Sequence, residues 1–377
     1  MSTEGRPEGV HLCPGHEGRP VSPQGRPKGE YLRSGREGRP VSARCGGRAA
    51  VTILALAVLA GCAGVGGVAP PTERVSFDSL DAGAAGAPLR ITGLLYRPDG
   101  PAPAGGFPAV IALHGCGGMF SDAPGRESVL SLRNAMWKDL LLADGYAVLF
   151  PDSFNPRGLR AVCTIRLSER TIVPATRRLD ALGALAWLGA QPGIDRTRIA
   201  LMGFSHGGST TLATINARDP AVAAFRAATG APPFFRAAVA FYPGCRISLN
   251  AGERWQPAVG TRIYIGELDD WTPAARCAAL GEAQKARGAP LDVTLYPDSY
   301  HGFDGPPRRL TVLTDVPSGV NPGRGVTLAS NQAAGADAKA RTRAFLRAQF
   351  AVASAQSEDG IIPRAGIGAV TAIAARP

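Results

Sequence analysis

A chain of 377 residues with 45% hydrophobic content is long enough for one large α/β domain plus extra segments at its ends. Nothing in that content requires several membrane spans. The formal net charge of +11 invites a nucleic-acid partner, but the first fifty residues alone hold nine Lys or Arg against five Glu. The remainder carries no basic run and no aromatic-interleaved basic patch, so nucleic acid is excluded as a partner.

Residues 1–48 form a degenerate Gly/Arg/Pro repeat, in which Glu17-Gly18-Arg19-Pro20-Val21-Ser22 recurs as Glu37-Gly38-Arg39-Pro40-Val41-Ser42. Too few apolar residues are present to pack, and disorder is expected there. The composition then flips over 49–62. Arg44 and Arg48 precede the apolar run Ala49–Ala60, which ends in small residues at Gly61-Cys62. A basic segment, a short apolar core and small residues before a cleavage point make a signal peptide, too short for a spanning helix. Leu59-Ala60-Gly61-Cys62 also resembles the bacterial lipobox. The expectation is lipid on Cys62 and an exported, membrane-anchored lipoprotein facing the periplasm or cell exterior. A plain secretory signal or a core helix is the blander alternative. A signal this far into the chain suggests a true start near Val41, with residues 1–40 mis-assigned; N-terminal peptide mapping would test that. Residues 63–88 then read as a tether leading into the domain.

From Leu89 the text alternates short apolar runs with helical stretches, and 89–355 is taken as the catalytic domain. Leu89–Arg97 is a candidate edge strand stopped by Pro98. Pro108–Leu113, Tyr146–Phe150, Arg198–Met202, Ala237–Phe241, Arg262–Ile265 and Asp292–Tyr296 have the length and continuity of buried strands. Helical patterns lie between them, near 128–143, 175–190, 206–217, 273–287 and 333–350. The fold class is therefore α/β: a doubly wound, mostly parallel sheet with helices on both faces, whose ligands bind beyond the carboxyl ends of the strands. Residues 356–377 read as a disordered tail.

Gly203-Phe204-Ser205-His206-Gly207-Gly208 follows one such strand and opens a helix. A serine in a sharp strand-to-helix turn is raised above the sheet, and glycines around it avoid clashes. The helix N-terminus then lies beside the negative charge that forms on an attacked carbonyl. Ser205 is the candidate nucleophile. An ordinary Gly-rich turn is the bland alternative.

Five histidines are present. His11 and His16 fall in the repeat, His114 opens a motif after a strand, and His206 follows the serine with its ring directed away from it. That leaves His301, in the motif Tyr296-Pro297-Asp298-Ser299-Tyr300-His301-Gly302-Phe303, a loop after the last strand run, as the base. Apart from the adjacent His206, it is the sole histidine after Ser205, where a serine of this kind has its acid and then its base. Between them, Gly266-Glu267-Leu268-Asp269-Asp270-Trp271-Thr272-Pro273 follows a strand and puts Asp269 in the acid position. Asp270 is its rival, with helix capping as an alternative role.

His114-Gly115-Cys116-Gly117-Gly118 after the strand ending at Leu113 resembles the HG-type oxyanion motif of lipases and esterases. The expected donors are the backbone N–H of His206 and that of Cys116 or Gly117. Asp152–Gly158, with Arg160, Arg166, Arg170, Arg177 and Arg178 downstream, reads either as a cleft wall binding a substrate carboxylate or as ordinary solvated charge. After lipidation of Cys62, Cys116, Cys163, Cys245 and Cys277 remain, with three possible connectivities. Cys245 and Cys277 follow neighbouring strands and are the favoured pair.

Taken together, these four motifs look like the dienelactone hydrolase family, over roughly Leu89 to Phe350. The resemblance implies the α/β-hydrolase fold and hydrolysis of a small-molecule ester or lactone through an acyl-enzyme, with no metal or other cofactor. Dienelactone hydrolases proper use a cysteine nucleophile, whereas this turn carries Ser205. The competing readings are a serine peptidase or acyltransferase on the same triad, and a catalytically silent envelope lipoprotein of the same fold. Loops 116–128, 152–172 and 243–260 would set specificity.

Overall fold

The computed structural model describes residues 72–83, 86–229, 234–321 and 323–358. The repeat, the signal segment with Cys62, and residues 359–377 of the expected tail lie outside the described residues.

In chain order the elements are β1 (Glu73–Ala82), β2 (Pro88–Tyr96), β3 (Phe107–Leu113), α1 (Leu132–Ala143), β4 (Ala147–Asp152) and α2 (Pro174–Gly189). Then follow β5 (Ile194–Phe204), α3 (His206–Thr214), α4 (Pro220–Thr229), β6 (Ala237–Phe241) and α5 (Arg246–Asn250). The last are β7 (Thr261–Gly266), α6 (Ala274–Lys285), β8 (Leu291–Tyr296), β9 (Thr311–Leu313), β10 (Val326–Leu328) and α7 (Gln332–Glu358). The eight-stranded sheet has the order β1-β2-β4-β3-β5-β6-β7-β8, and β9 pairs with β10 apart from it. From β4 to β8 every pairing is parallel, while β2 is antiparallel to both β4 and β1.

The strands form where continuous apolar runs can be buried on both faces. β3, β4 and β6 carry almost no exposed side chain. Burial of that kind is the dominant stabilising term for a parallel sheet. Trp137 of α1 packs against Phe204 and Phe241, with ring centroids 5.8 and 5.1 Å away.

Chain direction places the site. β3 leads through α1 to β4 on one side of it, whereas β5 leads through α3 towards β6 on the other. Right-handed crossovers put those two connections on opposite faces. A crevice opens between the carboxyl ends of β3 and β5, the switch point at which such sheets bind ligands.

Three sequence expectations need correction. The tether expected over 63–88 gives way to a strand at Glu73, and β2 is therefore an inner strand rather than the edge. β1 was hidden because it is half exposed: its one large fully buried side chain is Phe77, flanked by polar residues. The helix α7 also continues past 355, to Glu358. Among the described residues, no helix is long and apolar enough to cross a membrane.

Candidate active site

Ser205 sits between β5 and α3 with φ 54° and ψ −114°, a backbone conformation that side chains rarely adopt. It is held there from both sides: its N–H donates to the Phe241 carbonyl at 2.9 Å, and its own carbonyl accepts the Ser209 N–H at 2.8 Å. Strain of this kind persists only where the surroundings enforce it. The neighbouring glycines are needed for closeness. A Cβ on Gly203 would lie 2.2 Å from the Gly207 carbonyl oxygen, one on Gly207 2.1 Å from that of Leu113, and one on Gly208 2.7 Å from that of Phe241. The turn is thus wedged between the ends of β3 and β6.

Two strands further along, Asp269 follows β7 and His301 follows β8. His301 Nδ1 lies 2.7 Å from Asp269 Oδ2, and both residues are buried. Asp269 is fixed in turn: Oδ1 accepts the N–H groups of Trp271 and Thr272 at 2.9 and 2.8 Å, and Oδ2 accepts the Thr272 hydroxyl at 2.9 Å. Its backbone donors come from the turn that carries it, so the carboxylate is aimed before the histidine arrives. Asp270 faces elsewhere, accepting the Thr327 N–H and hydroxyl at 2.8 and 2.7 Å and so anchoring β10. The far ring nitrogen of His301, Nε2, is shielded from solvent and makes no hydrogen bond. Ser205, Asp269 and His301 therefore all stand at the carboxyl edge of the sheet, just past β5, β7 and β8.

The groups that fix the His301 ring were not read from the sequence. The ring lies between Tyr242 and Trp271, with centroids 4.5 and 4.8 Å away. Tyr242, at φ 37°, follows β6 and fills the gap between the strands of Ser205 and Asp269. Its hydroxyl donates to Asp304 Oδ1 at 2.7 Å, the Trp137 indole donates to Asp304 Oδ2 at 2.7 Å, and Arg133 is 3.4 Å from the same carboxylate. Burial pushes the Tyr242 phenol well above its ordinary range, so it stays a donor. The motif that exposed His301 stopped at Phe303, one residue short of Asp304.

The loop after β3 lies against the serine turn: a Cβ on Gly115 would be 3.6 Å from that of Ser205. The N–H groups of Cys116 and His206, the expected oxyanion donors, have no acceptor among the described residues. Cys116 is tied down twice, by a disulfide to Cys163 and by the Val162 N–H donating to its carbonyl at 2.8 Å. Around that disulfide Phe154, Val162 and Ile172 form a small apolar cluster over the crevice. Cys245 and Cys277 form the second disulfide, between the segments after β6 and β7.

Both remaining histidines near the crevice are held neutral. Burial, aided by the nearby charge of Arg177, puts His114 and His206 well below the ordinary imidazole range. His114 Nε2 lies 3.4 Å from the Ser153 N–H, and His206 Nδ1 lies 3.0 Å from Arg177 Nη1. The His206 ring thus turns away from the serine hydroxyl.

The arginines of 157–178 had two readings, binding of a substrate carboxylate or ordinary charge, and four of them are occupied within the protein or buried. Arg157 bridges Asp180 and Asp81, Arg166 pairs with Glu169, Arg178 pairs with Asp219, and Arg177 is fully buried. Pairing within the protein satisfies the charges of Arg157, Arg166 and Arg178 before any ligand arrives, and burial keeps Arg177 from reaching one. Among the described residues, no three His, Cys, Asp or Glu side chains are grouped to hold a metal ion.

Comparison with known proteins adds to this geometry. The sequence pattern of the dienelactone hydrolase family matches residues 91–350. A candidate dienelactone hydrolase from Klebsiella pneumoniae subsp. pneumoniae is 17% identical, with a TM-score of 0.50 over 74% of this chain and 99% of that one. A dienelactone hydrolase-like promiscuous phosphotriesterase from metagenomic libraries is 20% identical, with a TM-score of 0.47 over 75% of this chain and 100% of the other. An esterase from Pyrobaculum calidifontis is 16% identical, with a TM-score of 0.44 over 74% of this chain and 86% of its own. At 17% identity the likeness to the first of these is one of fold. None of the curated proteins compared matches the chain.

Proposed function

The chain belongs to the dienelactone hydrolase family of α/β-hydrolases, and we propose that it is a serine hydrolase cleaving carboxylic esters or lactones through an acyl-enzyme. The observation that carries this reading is the strained serine at the β5–α3 turn, on the same sheet edge as a buried His301–Asp269 pair.

In this reading Ser205 Oγ attacks the substrate carbonyl carbon while His301 Nε2 takes the hydroxyl proton. Asp269 keeps the other ring proton on Nδ1 and stabilises the imidazolium that forms. The negative charge that develops on the carbonyl oxygen is met by the N–H groups of Cys116 and His206, helped by the N-terminus of α3. Collapse of the tetrahedral intermediate breaks the ester C–O bond, and His301 returns its proton to the departing alcohol. Water then attacks the acyl-enzyme by the same sequence and releases the acid. The unpartnered Nε2 suits a base that must exchange a proton with two different oxygens in turn.

The lipobox supports a further part of the reading, attachment to a membrane through Cys62 after export. Two disulfides in the catalytic domain fit an oxidising compartment.

The test is hydrolysis of short p-nitrophenyl esters by the purified full-length chain, wild type beside Ser205→Ala, with labelling of both by a fluorophosphonate probe. Loss of turnover and labelling in the variant supports the serine mechanism. Equal turnover in both proteins would overturn it.

A further inference from the structure

Arg177, in the first turn of α2, has no exposed surface at all. Its Nη1 donates to the His114 carbonyl at 2.9 Å and to His206 Nδ1 at 3.0 Å, and its guanidinium lies 5.0 Å from the ring of Phe154. Nε and Nη2 are buried with no partner. The nearest acid on its own helix, Asp180, is already taken by Ser79 at 2.6 Å and by Arg157 through two bonds of 2.9 Å. Arg177 is thus a buried cation whose direct partners are neutral. Burial lowers its pKa to about 10, so it keeps its charge at neutral pH.

Such an arrangement is costly. A buried charge without a counter-ion loses hydration that neutral acceptors restore only in part. An apolar side chain of the same length would suit the site better if packing were all that mattered.

The two groups it touches say what it does. His114 begins the loop that carries the Cys116 N–H, and His206 supplies the other expected donor. A single nitrogen, Nη1, bridges these two segments, which otherwise meet through backbone packed so closely that a Cβ on Gly207 would lie 2.6 Å from the His114 carbonyl oxygen. We infer that Arg177 is a positioning residue for carbonyl activation, clamping the β3–α1 loop to the start of α3 so that the two N–H donors converge. Its charge also adds to the positive potential where the oxyanion forms, in a region of low dielectric where such a contribution is large. This inference rests on the serine-hydrolase reading above.

The experiment compares the wild-type chain with Arg177→Met and Arg177→Lys on a p-nitrophenyl ester and on its thiono analogue, in which sulfur replaces the carbonyl oxygen. Thermal melts are recorded alongside. A sulfur anion is larger and accepts hydrogen bonds weakly, so a converged pair of donors favours the oxygen substrate. For Arg177→Met the expected result is a fall in kcat of about 10- to 100-fold on the oxygen ester, less than the loss from deleting a donor outright. KM should change by less than about twofold, and the oxygen-over-sulfur preference should narrow with kcat. Arg177→Lys keeps the charge without the fork and should recover part of the loss.

Unchanged kcat in both folded variants overturns the inference. So does an equal loss on both esters, because disturbed folding would slow oxygen and sulfur substrates alike. Loss of cooperative melting in both variants would make Arg177 a structural residue and overturn it too. Failure of the underlying reading looks different, since wild type and Ser205→Ala would then hydrolyse the oxygen ester at the same rate.

Discussion

Nδ1 of His301 and Oδ2 of Asp269 lie 2.7 Å apart in a buried pair, and the carboxylate is held by three further donors from Trp271 and Thr272. The acid therefore dictates which ring nitrogen carries the proton. Asp269→Asn should reduce kcat by about 10⁴-fold with little change in KM, because the amide reverses that preference. Asp270→Asn should leave kcat within about tenfold, since its carboxylate holds Thr327 and not the ring. Steady-state kinetics on both variants decide it: a larger loss at 270 than at 269 would reverse the assignment.

The two disulfides should separate in their effects. Each closes a long loop, with a sequence separation of 47 for Cys116 and Cys163 and 32 for Cys245 and Cys277. Loops of that size correspond to about 3–4 kcal/mol of stability each. Cys245→Ser with Cys277→Ser should lower the urea midpoint and leave kcat nearly unchanged. Cys116→Ser with Cys163→Ser should lower both, because Cys116 carries an expected oxyanion donor. Equal kcat in the two double variants would detach the first disulfide from catalysis.

Stability should fall as the solution is acidified from pH 7 towards pH 5. His114 and His206 stay neutral in the folded protein, chiefly because they are buried, whereas in the unfolded chain each titrates near about 6.5. Below that value the unfolded state binds more protons, so acid favours unfolding; above it the two histidines add no pH dependence. The slope is at most about 1.4 kcal/mol per pH unit for each histidine. Denaturant midpoints for wild type and His114→Gln across this range should show a steeper decline in the wild type. Identical declines would rule out the histidine as the source.

Removing the Tyr242 hydroxyl should loosen the support of His301 from behind. Tyr242→Phe leaves the buried Asp304 carboxylate with Trp137 and Arg133 but without its 2.7 Å phenol donor. The expected loss is about 1–3 kcal/mol of stability, as for one partner of a buried charged hydrogen bond. Thermal melts measure it, and a variant as stable as the wild type would show that the phenol contributes nothing net.

Attachment through Cys62 predicts that cells expressing the full chain incorporate radiolabelled palmitate into it and retain it in the membrane fraction. Cys62→Ser should abolish labelling and release the protein. Labelling that survives the substitution would place the lipid elsewhere, if on the chain at all.

The parallel core was legible because its strands are buried on both faces and so read as unbroken apolar runs, as Ala237–Phe241 does. The half-exposed β1 was not, since its alternating polar residues look like linker. Ser205 and His301 could be found because a Gly-flanked turn and the scarcity of histidine mark them locally. Asp304, Tyr242 and Arg177 could not be assigned, because their roles depend on contacts with residues far away in sequence. The bond from Tyr242 to Asp304 spans 62 positions and that from Arg177 to His114 spans 63. No local pattern distinguishes such an arginine from Arg178 beside it, which is half-buried and paired with Asp219.

The bond between Cys116 and Cys163 has a consequence for when the chain can become active. In the cytosol, where thiols are kept reduced, the loop that carries the expected Cys116 donor would be joined to its neighbour only by weaker contacts. Oxidation closes it. Maturation would thus be a two-electron event: a newly made chain would begin at low turnover and reach its full rate only in a compartment that accepts those electrons. Preparations from a reducing host would then understate the rate of the finished protein.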